Sequence, residues 1–544
     1  VAILSSLAVL ISVSSQATLA PIYSSLPAAA HQSSTIAASF LVGIFARRRY
    51  KTSRSGQVLR ILGVAAFWVP VVQTFLFRQS AILGVVAGPA VTGLVNAQCI
   101  IAGVAYAIAE TLEGVRLEPR LPTYISAWLP TLLLTGLVLV VSRFFPTLLP
   151  GLGGIIGASS PVRTQLFTAA VLTCLAPSRL AVLSLPAIVH ALVANPHCDT
   201  AYTTTVLNQQ LHKHNWTLLD RRWSTTGYLS VLEDQAADMR VLRCDHSLLG
   251  GEWLLTDDRK RHGWTTSETI LTVFQVLEAV RLMETNHLVS DTDAHALVIG
   301  LGIGTAPRAL LAHGINTTTV ELDPAVHALA TTHFGFPAAP PPILQDARAW
   351  VAAAAARPAP PRYDYILHDV FTSGTEPLGL FTRGFLTQLR ALRAPHGVVA
   401  LNYAGDLAAP LTRTVLNTID HVFDGRRCRI FRDARPREMG PDELLPALTN
   451  LVVLCRADAG PVTFRRPMAA DCLGSRSRRE YMYPDARDEV PFPLQGVRDR
   501  ARRAAEAALE DGREGEWTAE RERMARQHWE LMRKIVPDAV WELW

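Results

Sequence analysis

Ala296-Leu-Val-Ile-Gly-Leu-Gly-Ile-Gly304 reads as a short apolar strand running into a glycine-rich turn. Ala296 to Ile299 suit a buried strand, and Gly300, Gly302 and Gly304 then fall at alternate positions. Glycine adopts the backbone of a tight strand-to-helix turn without strain, and it lets a ligand approach the main chain. Further on, a second apolar segment ends in Val320-Glu-Leu-Asp-Pro324, which puts Glu321 at the carboxyl end of the next strand. A carboxylate there can accept from both hydroxyls of a ribose. The two together predict a βαβ unit that holds an adenosine-type cofactor. For the glycines by themselves, a tight turn with no ligand is the competing reading.

The pattern continues downstream. Gln345-Asp-Ala-Arg348 follows another short segment, and Tyr363-Asp-Tyr-Ile-Leu-His-Asp369 reads as a strand ending in a carboxylate. Leu380 to Leu389 is amphipathic at helical spacing, Pro395-His-Gly397 stops it, and Val398-Val-Ala-Leu-Asn-Tyr403 is a buried strand. Acids or loops thus recur at the carboxyl ends of successive strands, the edge of an open parallel sheet where ligands bind. Some of these acids have structural readings. Asp323 before Pro324 has the pattern of a helix N-cap, and Asp364 is read as structural. In an extended strand His368 points to the face opposite Asp369. Asp369 either acts on substrate or caps the loop that follows it.

At Leu297-Val-Ile-Gly-Leu-Gly-Ile-Gly304, Arg308, Val320-Glu-Leu-Asp323, Asp346-Ala347, Tyr363-Asp364, Asp369 and Leu380-Phe-Thr-Arg383 the chain resembles the spermidine synthase family. That family lies within the methyltransferase-like Rossmann folds that use S-adenosylmethionine or its decarboxylated form. The resemblance runs over roughly residues 225 to 455 and is nearest to membrane-fused members. It implies a seven-stranded methyltransferase-like sheet with Gly300, Gly302, Gly304, Glu321, Asp346 and Ala347 on the cofactor. Glu321 would take the ribose hydroxyls, Asp346 the exocyclic amine of adenine, and the neighbouring amide the ring. The resemblance also implies that Asp369 takes a proton from the attacking amine, which must be neutral to be a nucleophile. The implied reaction moves an aminopropyl group from decarboxylated S-adenosylmethionine to a small-molecule amine, with no metal.

Three positions depart from that pattern. Soluble synthases carry an acid in the glycine loop where this chain has Ile303, and a second acid in the catalytic loop where it has Thr372. The segment Trp264 to Phe274 offers Glu268 but no tyrosine for a polyamine pocket. Fewer carboxylates offset less of a dication's desolvation. Methyl transfer from S-adenosylmethionine is therefore an alternative on the same fold. A non-catalytic nucleoside-binding domain on a transporter-like membrane part is a second alternative.

The front of the chain is apolar, with stretches near 2–20, 29–46, 60–77, 82–109, 124–144 and 165–194, the last interrupted at Pro177-Ser-Arg179. About twenty apolar residues suffice to cross a bilayer, so a multi-pass membrane domain of about six helices is expected. Arg47, Arg48, Arg49, Lys51 and Arg54 follow the second stretch, and Arg116 and Arg120 the fourth. Basic loops stay cytoplasmic, which predicts a cytoplasm-facing catalytic domain. An arginine cluster this short beside a span argues against nucleic acid as a partner. Asn96, Gln98 and His190 within spans fit helix packing better than a substrate path.

Of 544 residues 49% are hydrophobic, and the formal net charge is +5. The seven cysteines, among them Cys428 and Cys455, show no close metal-ligand spacing; neither zinc nor a disulfide framework is indicated, and reduced thiols fit a cytoplasmic domain. Gly227 to Glu233, Met239 to Cys244 and Glu252 to Leu255 have strand patterns separated by polar turns. They resemble the small β lobe that precedes the Rossmann domain of spermidine synthases and helps many of them oligomerise, which implies a homodimer. The expected organisation is a membrane domain at 1–195, a β lobe and linker at 196–262, a Rossmann-like domain at 263–460, and a charged, partly helical tail at 461–544. Within that tail, Arg476, Arg478 and Arg479 read as a solvated cluster rather than an anion site.

Overall fold

A computed structural model describes residues 1–50, 53–113, 123–144, 160–287, 289–371, 374–433, 448–491 and 508–544. Lys51, Arg116, Arg120, Thr372 and the arginine-rich stretch at 498–507 lie outside these residues. The chain forms two compact units, one of Val1–Leu218 with Trp529–Trp544, the other of Leu219–His528.

The first unit is helical. Among the described residues three helices, Ala2–Tyr23, Ser55–Phe77 and Ser80–Thr111, are long and apolar enough to cross a membrane, where the sequence suggests about six. The stretch near 124–144 is the helix Thr123–Phe144, and the remaining apolar stretches are helices that are shorter or diluted. Gln32–Arg49 carries polar residues at its start and three arginines at its end. Pro177 and Ser178 separate Pro161–Leu175 from the helical run Arg179–Ala194, because proline removes a donor and clashes with the preceding turn. Ile36, Phe40, Ile101, Val104, Ala105 and Leu172 form the centre of the packing. Ile61, Phe75, Ile82 and Val182 instead stay exposed.

The second unit is α/β and begins with a five-stranded sheet in the order β1 (Trp216–Ser224, whose start belongs to the first unit), β2 (Gly227–Asp234), β3 (Met239–Cys244), β4 (Ser247–Trp253) and β5 (Glu268–Thr269). From β2 to β5 the neighbours pair antiparallel. The larger sheet contains β6 (His295–Ile299), β7 (Asn316–Glu321), β8 (Ile343–Leu344), β9 (Tyr363–His368), β10 (Arg393–Asp406), β11 (Cys428–Arg432), β12 (Leu448–Arg456) and β13 (Glu489–Val490). Its order is β13-β11-β12-β10-β9-β6-β7-β8. The expected seven strands become eight because β13 adds two residues to the edge of β11.

Side chains alternate across this sheet, so each face needs its own cover. Leu297, Ile299, Ile366, Leu401 and Val453 pack in one layer with Val351, Phe385, Leu386, Leu389 and Ile419 of the covering helices. Val298, Leu367, Ala400 and Val452 pack in the other with Phe274, Leu277 and Leu310. The helices start on local signals. Thr382 caps Arg383–Ala391 by accepting from the Phe385 amide, and Asp323 with Pro324 starts Pro324–Phe334, which ends at Gly335 in the left-handed conformation. Leu229, Val231 and Leu242 of the small sheet pack with Leu301 and Ile303 of the glycine loop, which fixes that loop from above.

Cys428 and Cys455 face each other directly across β11 and β12 and form a disulfide. This corrects the expectation of seven reduced thiols. The pairing depends on strand register, which cysteine spacing does not reveal.

Candidate active site

The three glycines of the loop after β6 all have positive φ, 92°, 54° and 84° at Gly300, Gly302 and Gly304. Each also sits where a side chain would collide with the protein. A Cβ on Gly300 would lie 2.0 Å from the Asp369 carbonyl oxygen, one on Gly302 2.7 Å from that of Leu249, and one on Gly304 2.5 Å from the Phe336 ring. The glycines thus draw the turn against the end of β9, the β4 region and the segment after Gly335. Gly300 also donates its N–H to Val320 O at 2.9 Å, and Asp369 donates its N–H to Ile299 O at 2.9 Å. The ends of β6, β7 and β9 are locked together there.

Glu321 ends β7 and is buried. Its Oε2 accepts from the Leu301 N–H at 2.9 Å and its Oε1 from the Asp323 N–H at 2.8 Å. Burial still outweighs these bonds and pushes the carboxyl up to about 7. Each oxygen retains a lone pair, so a vicinal diol with two O–H donors suits it. Those features, with the backbone of the glycine loop alongside, fit a nucleoside cofactor.

Asp346 caps the helix Ala347–Ala355, its Oδ1 accepting from the Arg348 N–H at 2.8 Å, and its side chain is exposed at the same sheet edge. Asp323 accepts from the Ala325 N–H at 2.8 Å as an N-cap, and its other oxygen takes the Thr226 hydroxyl at 2.6 Å. Asp364 accepts from the His295 N–H at 2.9 Å. His368 is buried on the face away from Asp369, edge-on to Phe381 with 4.7 Å between ring centroids.

Asp369 lies just past β9, partly buried. Asn402 Nδ2, on the neighbouring strand β10, donates to its Oδ1 at 2.9 Å. Burial raises this carboxyl to about 6, against the lowering effect of Asn402. Glu376, in the loop after β9, is a residue that sequence reasoning missed. It is 5% exposed, its Oε1 accepts from the Ala404 N–H at 2.6 Å, and burial together with the Asp369 charge pushes it well above the ordinary carboxylate range. The one available signal was an acid in a polar loop directly after a strand-end carboxylate. Two carboxyls bonded to positions two residues apart on β10, one able to ionise near neutrality and the other raised well above the ordinary range, can receive and orient a nitrogen base.

An open cavity borders Ile303, Thr305, Arg308, Glu252 and Glu268. Glu268 is not free there. It accepts from the Ser475 hydroxyl at 2.5 Å and the Arg476 N–H at 2.6 Å, which anchors the segment after the sheet. Arg478, read from sequence as solvated, is half-exposed at most and pairs with the buried Glu278 at 2.6 Å.

No family model matches the chain. It is 38% identical over 538 residues, 97% of its own length, to the N-terminal histidine N-methyltransferase of Emericella nidulans, 94% of which is covered. A probable polyamine aminopropyl transferase of Bifidobacterium longum is 33% identical over 138 residues, 25% of this chain and 30% of that one. Among solved structures, a probable spermidine synthase from Corynebacterium glutamicum aligns with a TM-score of 0.35 at 16% identity, over 48% of this chain and 85% of its own. The protein is a transferase. By its identity along nearly the whole of both sequences, the chain belongs to the family of the Emericella nidulans N-terminal histidine N-methyltransferase.

Proposed function

We propose that the α/β unit transfers a methyl group from S-adenosylmethionine to a ring nitrogen of an N-terminal histidine on a peptide or protein. The full-length likeness to a histidine N-methyltransferase carries this reading, whereas the likeness to polyamine aminopropyltransferases covers only about a quarter to a third of the chain. Methyl transfer, the alternative on sequence, is thus preferred to aminopropyl transfer. Ile303 supports the same choice. An acid at that position would repel the carboxylate that S-adenosylmethionine keeps and its decarboxylated form lacks, and isoleucine does not.

In this reading Glu321 holds the ribose hydroxyls, Asp346 and the Ala347 amide the adenine, and Gly300, Gly302 and Gly304 give the backbone its close approach. Bound there, the cofactor supplies an electrophilic methyl group on a sulfonium sulfur. The ring must attack as neutral imidazole, with a lone pair on one nitrogen and N–H on the other. Asp369 accepts from that N–H through the oxygen left free by Asn402, which fixes the tautomer and turns the lone pair outward. As the N–C bond forms and the S–C bond breaks, positive charge develops on the ring beside the Asp369 carboxylate, which stabilises it. The ring proton then leaves to solvent from the methylated ring. No metal enters this scheme.

We further propose that the helical unit spans a lipid bilayer, since Ile61, Phe75, Ile82 and Val182 are exposed on apolar helices and burying them in lipid removes apolar surface from water. The Cys428–Cys455 disulfide favours an oxidising compartment for the α/β unit, against the cytoplasmic placement drawn from the arginine loops. Calorimetric titration of the full chain in detergent micelles tests the cofactor. S-adenosylmethionine binding more tightly than its decarboxylated form is expected; the reverse order would restore aminopropyl transfer.

A further inference from the structure

We propose that Glu376 is the carboxylate that receives the α-amino group of the acceptor, and that this contact makes the site selective for a histidine at a chain terminus. The inference rests on the methyl-transfer reading above and names the element of the site that recognises the terminus.

Glu376 lines a small, partly open cavity together with Phe371, Thr375, Tyr403, Arg521 and Met524. Its Oε1 is occupied by the Ala404 amide. Its Oε2 is buried and has no hydrogen-bond partner among the described residues. A buried carboxyl oxygen without a partner is costly, because it has given up water for nothing. The arrangement is stable when a donor group enters the cavity.

The chemistry of that donor follows from the charges around it. Burial and the Asp369 charge push the carboxyl well above the ordinary carboxylate range, while Arg521 at the cavity wall favours its ionised form. An α-amine is mostly charged below its ordinary pKa of about 8, and its positive charge beside the carboxyl favours release of the carboxyl proton to solvent. The product is an ammonium–carboxylate pair in which three N–H donors face the oxygen that lacked one. A peptide N–H carries no charge, so an internal or acetylated histidine leaves the carboxyl without that partner and the cavity unfilled. The α-nitrogen of histidine lies only three bonds from its ring, so groups that hold the two must be neighbours. Asp369 and Glu376 are, since they bond Asn402 and Ala404, two residues apart on β10.

The test uses the full chain in detergent micelles, S-adenosylmethionine labelled in the methyl group, and three peptides: one with a free N-terminal histidine, the same peptide acetylated, and the same peptide with a glycine in front. Wild-type protein is expected to favour the free terminus by about 10⁴-fold in kcat/KM, the scale on which sites built to pair a polar group reject an analogue lacking it. In Glu376→Gln that preference should collapse, and in Glu376→Asp, which keeps the charge, part of it should return. A wild type that methylates all three alike overturns the proposal without recourse to any variant. So does a Glu376→Gln protein that keeps the full preference. Methylation of none of the three overturns the methyl-transfer reading itself, and this inference with it.

Discussion

The carbonyl oxygen of Asp369 occupies the place where a Cβ on Gly300 would stand, 2.0 Å from that ideal position. The glycine turn and the strand-end acid, proposed to hold cofactor and substrate, therefore share one backbone contact, and a disturbance of either reaches the other. Gly300→Ala adds both that clash and the strain of φ 92°, and is expected to destabilise the α/β unit by about 2–4 kcal/mol. Gly314→Ala is the control. Its φ of 83° is as unfavourable, but the nearest atom to its Cβ is 4.0 Å away, so it should cost only about 1–2 kcal/mol. Chemical denaturation of the two variants measures the difference.

Asp369→Asn is expected to abolish turnover while cofactor binding persists, because the amide cannot stabilise positive charge on the ring. Calorimetry with S-adenosylmethionine beside a turnover assay separates the two; unchanged turnover would remove Asp369 from the mechanism.

The pH profile reports on the same group. Asp369 must be ionised to act, and its carboxyl sits at about 6, so kcat/KM should rise with pH through that value. The substrate imidazole titrates nearby, at about 6.5. Asn402→Leu distinguishes them. Removing the donor that lowers the Asp369 carboxyl shifts the acid limb to higher pH if Asp369 contributes to it, and leaves the limb in place if only the substrate titrates.

Glu321 should couple cofactor affinity to pH. Its carboxyl is raised to about 7 by burial, and ribose hydroxyls donate to the ionised form, so affinity should rise as pH passes through about 7. The free protein should show the opposite trend. A carboxyl whose folded pKa exceeds its unfolded value binds its proton more tightly when folded, so the stabilisation is present at low pH and is lost as pH rises from about 4.5 to about 7. Glu321→Gln should flatten both curves in titrations and thermal melts across that range.

The disulfide gives a simpler prediction. Cys428 and Cys455 are 27 residues apart in sequence, and a loop of that size implies a loss of about 3–4 kcal/mol on reduction. Alkylation and mass measurement before and after reductant should detect one bridged pair, and denaturation with and without reductant should give the energy.

Much of the cofactor side was legible because its signals are local. The glycines and Glu321 fall at strand ends within one βαβ unit, and the Asp323-Pro324 cap is written in adjacent residues. What stayed hidden depends on partners distant in sequence. The Asp369 carboxyl bonds Asn402, 33 residues on, and Glu376 is buried under the Ala404 amide, 28 residues on; nothing near either acid announces that partner. The disulfide and the eighth strand follow from register at a sheet edge. In the helical part, hydropathy marked every apolar stretch, but the polar start of Gln32–Arg49 and the break at Pro177 decide which helices are long and apolar enough to cross a membrane.

Fragment mass spectrometry of a peptide with an N-terminal histidine, after incubation with the full chain and S-adenosylmethionine, reads the proposed reaction itself. One added methyl group is expected, located on an imidazole nitrogen of that histidine and lost in Asp369→Asn. No methylation from S-adenosylmethionine, together with aminopropyl transfer from its decarboxylated form to an amine, would contradict that reaction.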